Sequence, residues 1–300
     1  MKKLTPPLKW HGGKHYLAKR IVSLFPPHLH YVEPYAGGLS VLLARDPDRD
    51  WLIDDAWKLK HGDKVPAALR GASEVVNDID GLLMNFWSVL QDEKLFAKFR
   101  RKMAATPFAK TEYNRACAYL TVRNNRLNDA VLFFVLCRQS LAGRMKEFAP
   151  LSKTRTRRGV NEQASAWLNA IEGLPAIHAR LKRVVILNDD ALNVIRKQDG
   201  EKTLFYCDAP YVHETRMAND VYKHEMSDVE HEELVETLSA IKGHAIVSMY
   251  HHPIYERLSS EYGWNLVEYD LSNNASGSKS KRRMTECLWM NYDPPRSGIS

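Results

Sequence analysis

The sequence predicts an α/β fold: a seven-stranded, mostly parallel sheet interrupted by a long helical insertion. Three observations predict it. Seven short segments rich in Val, Ile, Tyr and Trp each end at a turn signal. Helical patterns separate most of them, and strands alternating with helices imply parallel neighbours. The alternation stops between 81 and 182, where the chain is helical and basic.

In chain order the predicted strands are HYVEPY (30–35), EVVNDI (74–79), RVVILND (183–189), TLFYCD (203–208), HAIVSMY (244–250), WNLVEYDL (264–271) and ECLWMNY (286–292). Several are apolar almost throughout, as strands covered on both faces are. The clearest helix is SDVEHEELVETLSAIK (227–242), with Ser227 and Glu230 as a capping box and Gly243 as its stop. Only a loop separates the last two strands, so they are expected to form an antiparallel hairpin at one edge, joined by the basic stretch SNNASGSKSKRR (272–283). The insertion contains the helical pattern DAVLFFVLCRQSLAGRM (129–145), followed by SKTRTRRG (152–159), read as a basic loop. Residues 46–72 form a second, polar insertion to which the sequence assigns no role. The expected division is 1–80 plus 183–300 as one domain and 81–182 as a lobe set into it.

Composition narrows the function. Of 300 residues 44% are hydrophobic, enough for one sizeable core or a core plus an appended domain. No run approaches the ~18 apolar residues of a membrane span. The start, MKKLTPPLKWHGGK, lacks the apolar stretch of a signal peptide, so a cytoplasmic location is expected. Cys117, Cys137, Cys207 and Cys287 form no C-x-x-C pair, which argues for reduced thiols and against a zinc site. The net charge is +7, but its distribution says more. Residues 91–183 hold 19 Lys/Arg against 7 Asp/Glu, a net +12, leaving −5 for the rest of the chain. Such segregation points to a polyanionic partner, nucleic acid first.

In open α/β sheets ligands bind outside the carboxyl ends of the strands. The first strand ends in EPYAGGLS (33–40), where adjacent glycines permit close backbone approach and the next helix offers unpaired N–H groups. An ordinary tight turn would read the same way, and the G-x-G-x-x-G dinucleotide fingerprint is absent. The second strand ends in NDID (77–80) and the third in NDD (188–190). Acids there suit a ribose hydroxyl or, equally, a helix N-cap. The fourth ends in DAPY (208–211). Pro210 holds Ala209 extended, which turns the Ala209 carbonyl outward beside the Asp208 carboxylate. Two acceptors plus the flat face of Tyr211 make a pocket for an aminated base, reached only by a base flipped from its duplex. Tyr206 and Cys207 read as strand residues, and His213 and His224 as surface histidines. Together the four strand ends describe a site for an adenosine-like cofactor.

Several of these motifs, in this order, resemble those of the Dam-like (class alpha) DNA adenine-N6 methyltransferases. The carriers are KWHGGK (9–14), YVEPYAGGLSVLL (31–43), VVNDID (75–80), DAPYVHETR (208–216) and TECLWMNY (285–292). Two positions depart from the family pattern: Ala209 replaces the first proline of D-P-P-Y, and Leu39 replaces the second glycine of G-x-G-S. The 46–72 insertion is also unusual for the family.

The resemblance implies a Rossmann-like methyltransferase fold with a target-recognition lobe at 81–182. The implied activity is methyl transfer from S-adenosyl-L-methionine to the N6 amino group of a flipped adenine in double-stranded DNA. Carried over by position, Trp10 and Lys14 line the cofactor site, with Lys14 near the methionine carboxylate. Pro34, Tyr35, Gly37 and Ser40 surround the methionine part. Asp78 binds the ribose, Asp190 lies near the cofactor's adenine, and Asp208 borders both cofactor and target. Asp208, Ala209, Pro210 and Tyr211 form the catalytic clamp. Arg138, Arg144, Lys153, Arg155, Arg157 and Arg158 are phosphate-contact candidates. A monomer with neither metal nor membrane partner is expected. The alternative is a catalytically weakened DNA-binding relative, motivated by Ala209. An amino-methylating enzyme acting on cytosine and a nucleotide-dependent oxidoreductase are further rivals.

Overall fold

In a computed structural model, seven strands form one sheet in the spatial order Val184–Leu187, Ser73–Asn77, His30–Glu33, Thr203–Cys207, His244–Met249, Arg283–Met290 and Asn265–Ser272. The structure describes residues 4–53, 55–62, 64–120, 122, 125–215, 224–272 and 283–295. The loop expected at 272–283 therefore lies almost wholly outside the described residues, as does the Arg216 end of DAPYVHETR. The strands are β1 (His30–Glu33), β2 (Ser73–Asn77), β5 (Val184–Leu187), β6 (Thr203–Cys207), β7 (His244–Met249), β8 (Asn265–Ser272) and β9 (Arg283–Met290). All seven sequence-predicted strands are present. β1 pairs in parallel with both β2 and β6, and β6 with β7. β9 runs antiparallel to β7 and to β8, which is the expected edge hairpin. Every residue of β6 is buried, so both its faces lie in the core and its apolar run needs no alternation.

The helices are α1 (Ala18–Ser23), α2 (Asp55–His61), α3 (Gly81–Gln91), α4 (Glu93–Ala105), α5 (Lys110–Tyr119), α6 (Arg126–Gln139), α7 (Glu162–Leu181), α8 (Ala191–Gln198), α9 (Asp228–Ser239) and α10 (Pro253–Ser260). Among the described residues no helix is long and apolar enough to cross a membrane. The Ser227 capping box of α9 forms as predicted, with both reciprocal bonds present. The predicted stop does not hold: α9 ends at Ser239, capped by Ala240, before Gly243 is reached. Gly243 is needed for space instead. A Cβ there would lie 2.7 Å from the carbonyl oxygens of Gly200 and Thr203.

The chain divides into two compact units. One comprises Met1–Lys19, Gly37–Asp46 and Asp80–Asn188. Its core is aromatic: Phe86 stacks on Phe134 at 5.7 Å, and Phe134 packs on Trp167 at 5.3 Å. The side chains of Asp80, Asp92, Asn125 and Asn161 cap α3, α4, α6 and α7. The stretch expected as a basic loop is partly a hairpin of β3 (Thr156–Arg157) and β4 (Val160–Asn161). Arg158 (φ 56°) and Gly159 (φ 77°) form its two-residue turn. Two successive left-handed residues match the twist of the flanking strands. The helix predicted within 129–145 breaks at Gln139, beyond which Leu141–Gly143 is a single 3-10 turn.

The other unit comprises Arg20–Ala36, Pro47–Ile79 and Asp189–Ser300. Here the 46–72 insertion acquires a structural anchor. Trp51 is buried, packs on His28 at 5.2 Å and on Phe25 at 6.1 Å, and carries the Arg49 guanidinium over its face at 4.5 Å.

Candidate functional site

In the sheet-bearing unit, one buried side chain laces the strand ends together. Asn77, the last residue of β2, donates from Nδ2 to the carbonyls of Pro34 and Asp189, both at 3.0 Å, and its Oδ1 accepts from the Asp189 amide at 2.8 Å. Its own carbonyl accepts from the Ala36 amide at 2.7 Å. Thus Pro34 and the chain after β1 are fixed to the residue that closes β2 and to the start of the α8 segment. The sequence assigned Asn77 no role; a polar residue closing an apolar strand was the available signal. Burial, above all, lifts the Tyr35 phenol well beyond its ordinary range, with Cys207 and Tyr255 adding to it.

The acids at these strand ends now separate. Asp80 caps α3 by accepting from the Leu82 amide at 2.9 Å. Asp190 is exposed and caps α8 by accepting from the Asn193 amide at 3.0 Å. Asp78 is half-buried directly after β2. Of the two readings left open at NDID, Asp80 takes the cap.

In the helical unit, the glycine loop is filled by a tryptophan. A Cβ on Gly37 (φ 47°) would meet Trp10 Nε1 at 2.7 Å, and one on Gly38 would meet Trp10 Cβ at 2.7 Å. Trp87 Nε1 donates to the Gly37 carbonyl at 3.1 Å. The close approach that these glycines permit is therefore made by Trp10, which also lies 6.5 Å from Phe133. Leu39 is fully buried with φ at 55°, a left-handed conformation that glycine adopts without strain and leucine does not. Lys14 is buried, with Nζ donating to the Gly12 carbonyl at 3.3 Å, and Ser40 is half-buried.

The turn after β6 is locked from below. Asp208 is half-buried, and Ala209 and Tyr211 are buried. The Tyr211 hydroxyl donates in a short hydrogen bond to Glu286 of β9 and lies 3.3 Å from Ser248 Oγ of β7. Ser248 Oγ in turn donates to Glu286 at 2.7 Å. The Tyr211 ring meets Tyr250 edge-on at 4.6 Å. Burial first, then the charges of Glu286 and Asp208, push the Tyr211 phenol well up, so it remains a neutral donor. Burial likewise pushes Cys207 up, with Asp208 adding to it, which excludes a thiolate nucleophile here at neutral pH. His213 and His224 are exposed, and His213 Nε2 lies 3.7 Å from a Glu225 carboxylate oxygen. Sequence reasoning missed Glu286 and Ser248, because strand pairing brings them to Tyr211 from 75 and 37 residues away.

The basic residues of the helical unit fall into two groups. Arg144, Lys153, Arg155, Arg157 and Arg158 are exposed. Arg158, at the hairpin turn, pairs with Glu172 at 3.2 Å and donates to Asn169. Arg138 is turned inward: its Nη2 donates to the Ala166 carbonyl at 2.6 Å, and burial draws its pKa down. Lys9, held by Gln163 at 3.0 Å, is lowered to about 8 by burial and then by the Arg138 charge.

A family model described as D12 class N6 adenine-specific DNA methyltransferase matches residues 64–270. The chain belongs to this family. The match spans NDID, the helical insertion and DAPY, and it begins after the KWHGGK and EPYAGGLS motifs. Its members methylate adenine at N6 in DNA, so DNA is the substrate. No curated protein sequence matches the chain.

Proposed function

We propose that this methyltransferase takes its methyl group from S-adenosyl-L-methionine and places it on an adenine flipped out of double-stranded DNA at a specific site. One observation carries the reading. The Asp208-Ala209-Pro210-Tyr211 turn stands at the carboxyl end of a fully buried strand and is anchored through Tyr211 to Glu286 and Ser248. A donor–acceptor set fixed in this way can preorganise a reacting amino group.

The donor set of the sheet-bearing unit fits the cofactor. Asp78 is a half-buried carboxylate at a strand end, suited to ribose hydroxyls, and Asn77 fixes the backbone of Pro34. Pro34, Tyr35, Asp78, Asp190 and Asp208 are the residues of this unit proposed to hold it; the family resemblance adds Trp10, Lys14, Gly37 and Ser40. When bound, S-adenosyl-L-methionine supplies an electrophilic methyl group. The chain's own work is on the adenine. Asp208 and the Ala209 carbonyl accept the two N–H bonds of the amino group, which localises its otherwise delocalised lone pair. Pro210 keeps the carbonyl in place, and alanine at 209 presents the same carbonyl as the proline it replaces. Tyr211 is proposed to offer a ring face to the base. Loss of the fixed φ of a proline costs roughly 0.4–1 kcal/mol, less than about tenfold in rate. Activity is therefore favoured over the weakened alternative. No metal is required.

We assign target recognition to the lobe 81–182 and cofactor chemistry to 1–80 with 183–300. Arg144, Lys153, Arg155, Arg157 and Arg158 are proposed to face phosphate, which their exposure supports. The inward guanidinium of Arg138 supports a role in holding α6 against α7. The chain is proposed to act as a monomer in the cytoplasm. A transfer assay with labelled cofactor on unmethylated duplex DNA, followed by nucleoside analysis, tests the reading. N6-methyladenine is expected, and it should vanish in Asp208→Ala while cofactor binding persists. Methylcytosine, or no incorporation despite binding of DNA and cofactor, would overturn it.

A further inference from the structure

We propose that His251, Glu268 and Cys287 form a binding site for a zinc-class divalent cation, separate from the methyl-transfer turn. One donor atom of each residue lies within 4.8 Å of the others. Sheet register creates the cluster. Glu268 of β8 and Cys287 of β9 are direct cross-strand partners, which places both side chains on one face. Cys287 is also opposite Met249 of β7, and His251 follows two residues later. The neighbouring Glu286 serves Tyr211 and Ser248, so successive residues of β9 serve two different sites on opposite faces.

The donor chemistry selects the ion. A thiol, an imidazole and a carboxylate suit zinc and its spectroscopic substitute cobalt rather than magnesium or calcium. Bonds of roughly 2.0–2.3 Å in a tetrahedron bring donor atoms to roughly 3.5 Å of one another. His251 Nε2 and Glu268 Oε1 are 2.5 Å apart, so these two exposed side chains have to separate by about 1 Å, and the set, which lies within 4.8 Å, has to close on the ion. Glu256 lies on the far side of the ring, with its Oε1 3.4 Å from His251 Nδ1. A carboxylate in that place can accept from a protonated Nδ1 once Nε2 ligates. On binding, the Cys287 thiol releases its proton to solvent. Three protein ligands leave a fourth position for water.

The site has a structural consequence for the turn. His251 directly follows Tyr250, whose ring packs on Tyr211. A cation bridging β8, β9 and His251 would tie down the end of β7 that carries Tyr250.

The untagged full chain, stripped with chelator, is titrated with Co2+ and then with Zn2+. One equivalent of Co2+ should bind with a thiolate-to-cobalt charge-transfer band, and Zn2+ should displace it and raise the melting temperature. Cys287→Ser should abolish the band, while Cys117→Ser, which alters an exposed cysteine elsewhere, should leave it intact. His251→Ala changes an exposed side chain, so it should fold normally and bind at least about tenfold more weakly; Glu256→Gln should lose roughly tenfold. Absence of stoichiometric binding, or unchanged affinity in His251→Ala, would overturn the proposal and leave an imidazole–carboxylate ion pair.

Discussion

Tyr211 shows how one side chain can belong to a motif in sequence and to a network in space. Its hydroxyl belongs to a buried triad in which Glu286 of β9 accepts from both Tyr211 and Ser248 of β7. Removing one member leaves the others buried and under-satisfied, at about 1–3 kcal/mol. Tyr211→Phe and Glu286→Gln should each lower the denaturation free energy by that order, and their effects should be strongly non-additive. Both should reduce methyl transfer more than cofactor binding. Additive losses in a double-mutant cycle would show that the two groups do not act together. Leu39 poses the opposite balance. Its left-handed backbone costs about 1–2 kcal/mol, while its fully buried side chain contributes about 2–5 kcal/mol. Burial wins, so Leu39→Gly should destabilise the protein although glycine suits that backbone. Equal or greater stability in urea would refute that ordering.

At the level of elements, boundaries followed packing where propensity pointed elsewhere. The capping box of α9 was readable because its two partners are three residues apart. The end of α9 was not, because Gly243 is a glycine for a reason unrelated to helix termination. Gly243 sits against the Gly200 and Thr203 carbonyls, and Asp199 accepts from its amide at 3.0 Å. Gly243→Ala should therefore destabilise by roughly 1–3 kcal/mol, as overpacking against backbone does; a change within ±0.5 kcal/mol by chemical denaturation would show that the backbone relaxes around the added methyl. The small hairpin β3–β4 was read as loop because its strands are two residues each, too short for any periodicity to register.

For the whole molecule, segregated charge is the feature that connects composition to substrate. If the proposed lobe faces DNA, the +12 carried by residues 91–183 is the source of the counterion release that favours binding. Removing one arginine that faces a phosphate should reduce the slope of log K against log salt by roughly 0.9. Arg155→Ala and Arg157→Ala should each show this without altering which sequence is bound. An unchanged slope would mean that these exposed arginines do not face DNA.

By itself the sequence determined the strand set, the edge hairpin, the DAPY turn and the charge segregation. Each of these is written locally, as an apolar run, a proline or a count of charges, and the family assignment agrees with them. Only the tertiary structure decided what those local features touch. It put Trp10 against Gly37 and Gly38, turned Arg138 inward and gave Trp51 a core position in an otherwise unassigned insertion. It also set Glu286 beneath Tyr211 and Glu268 opposite Cys287. The physical reason is the same throughout: sheet register and core packing join residues far apart in the chain, and no spacing along one sequence encodes those distances.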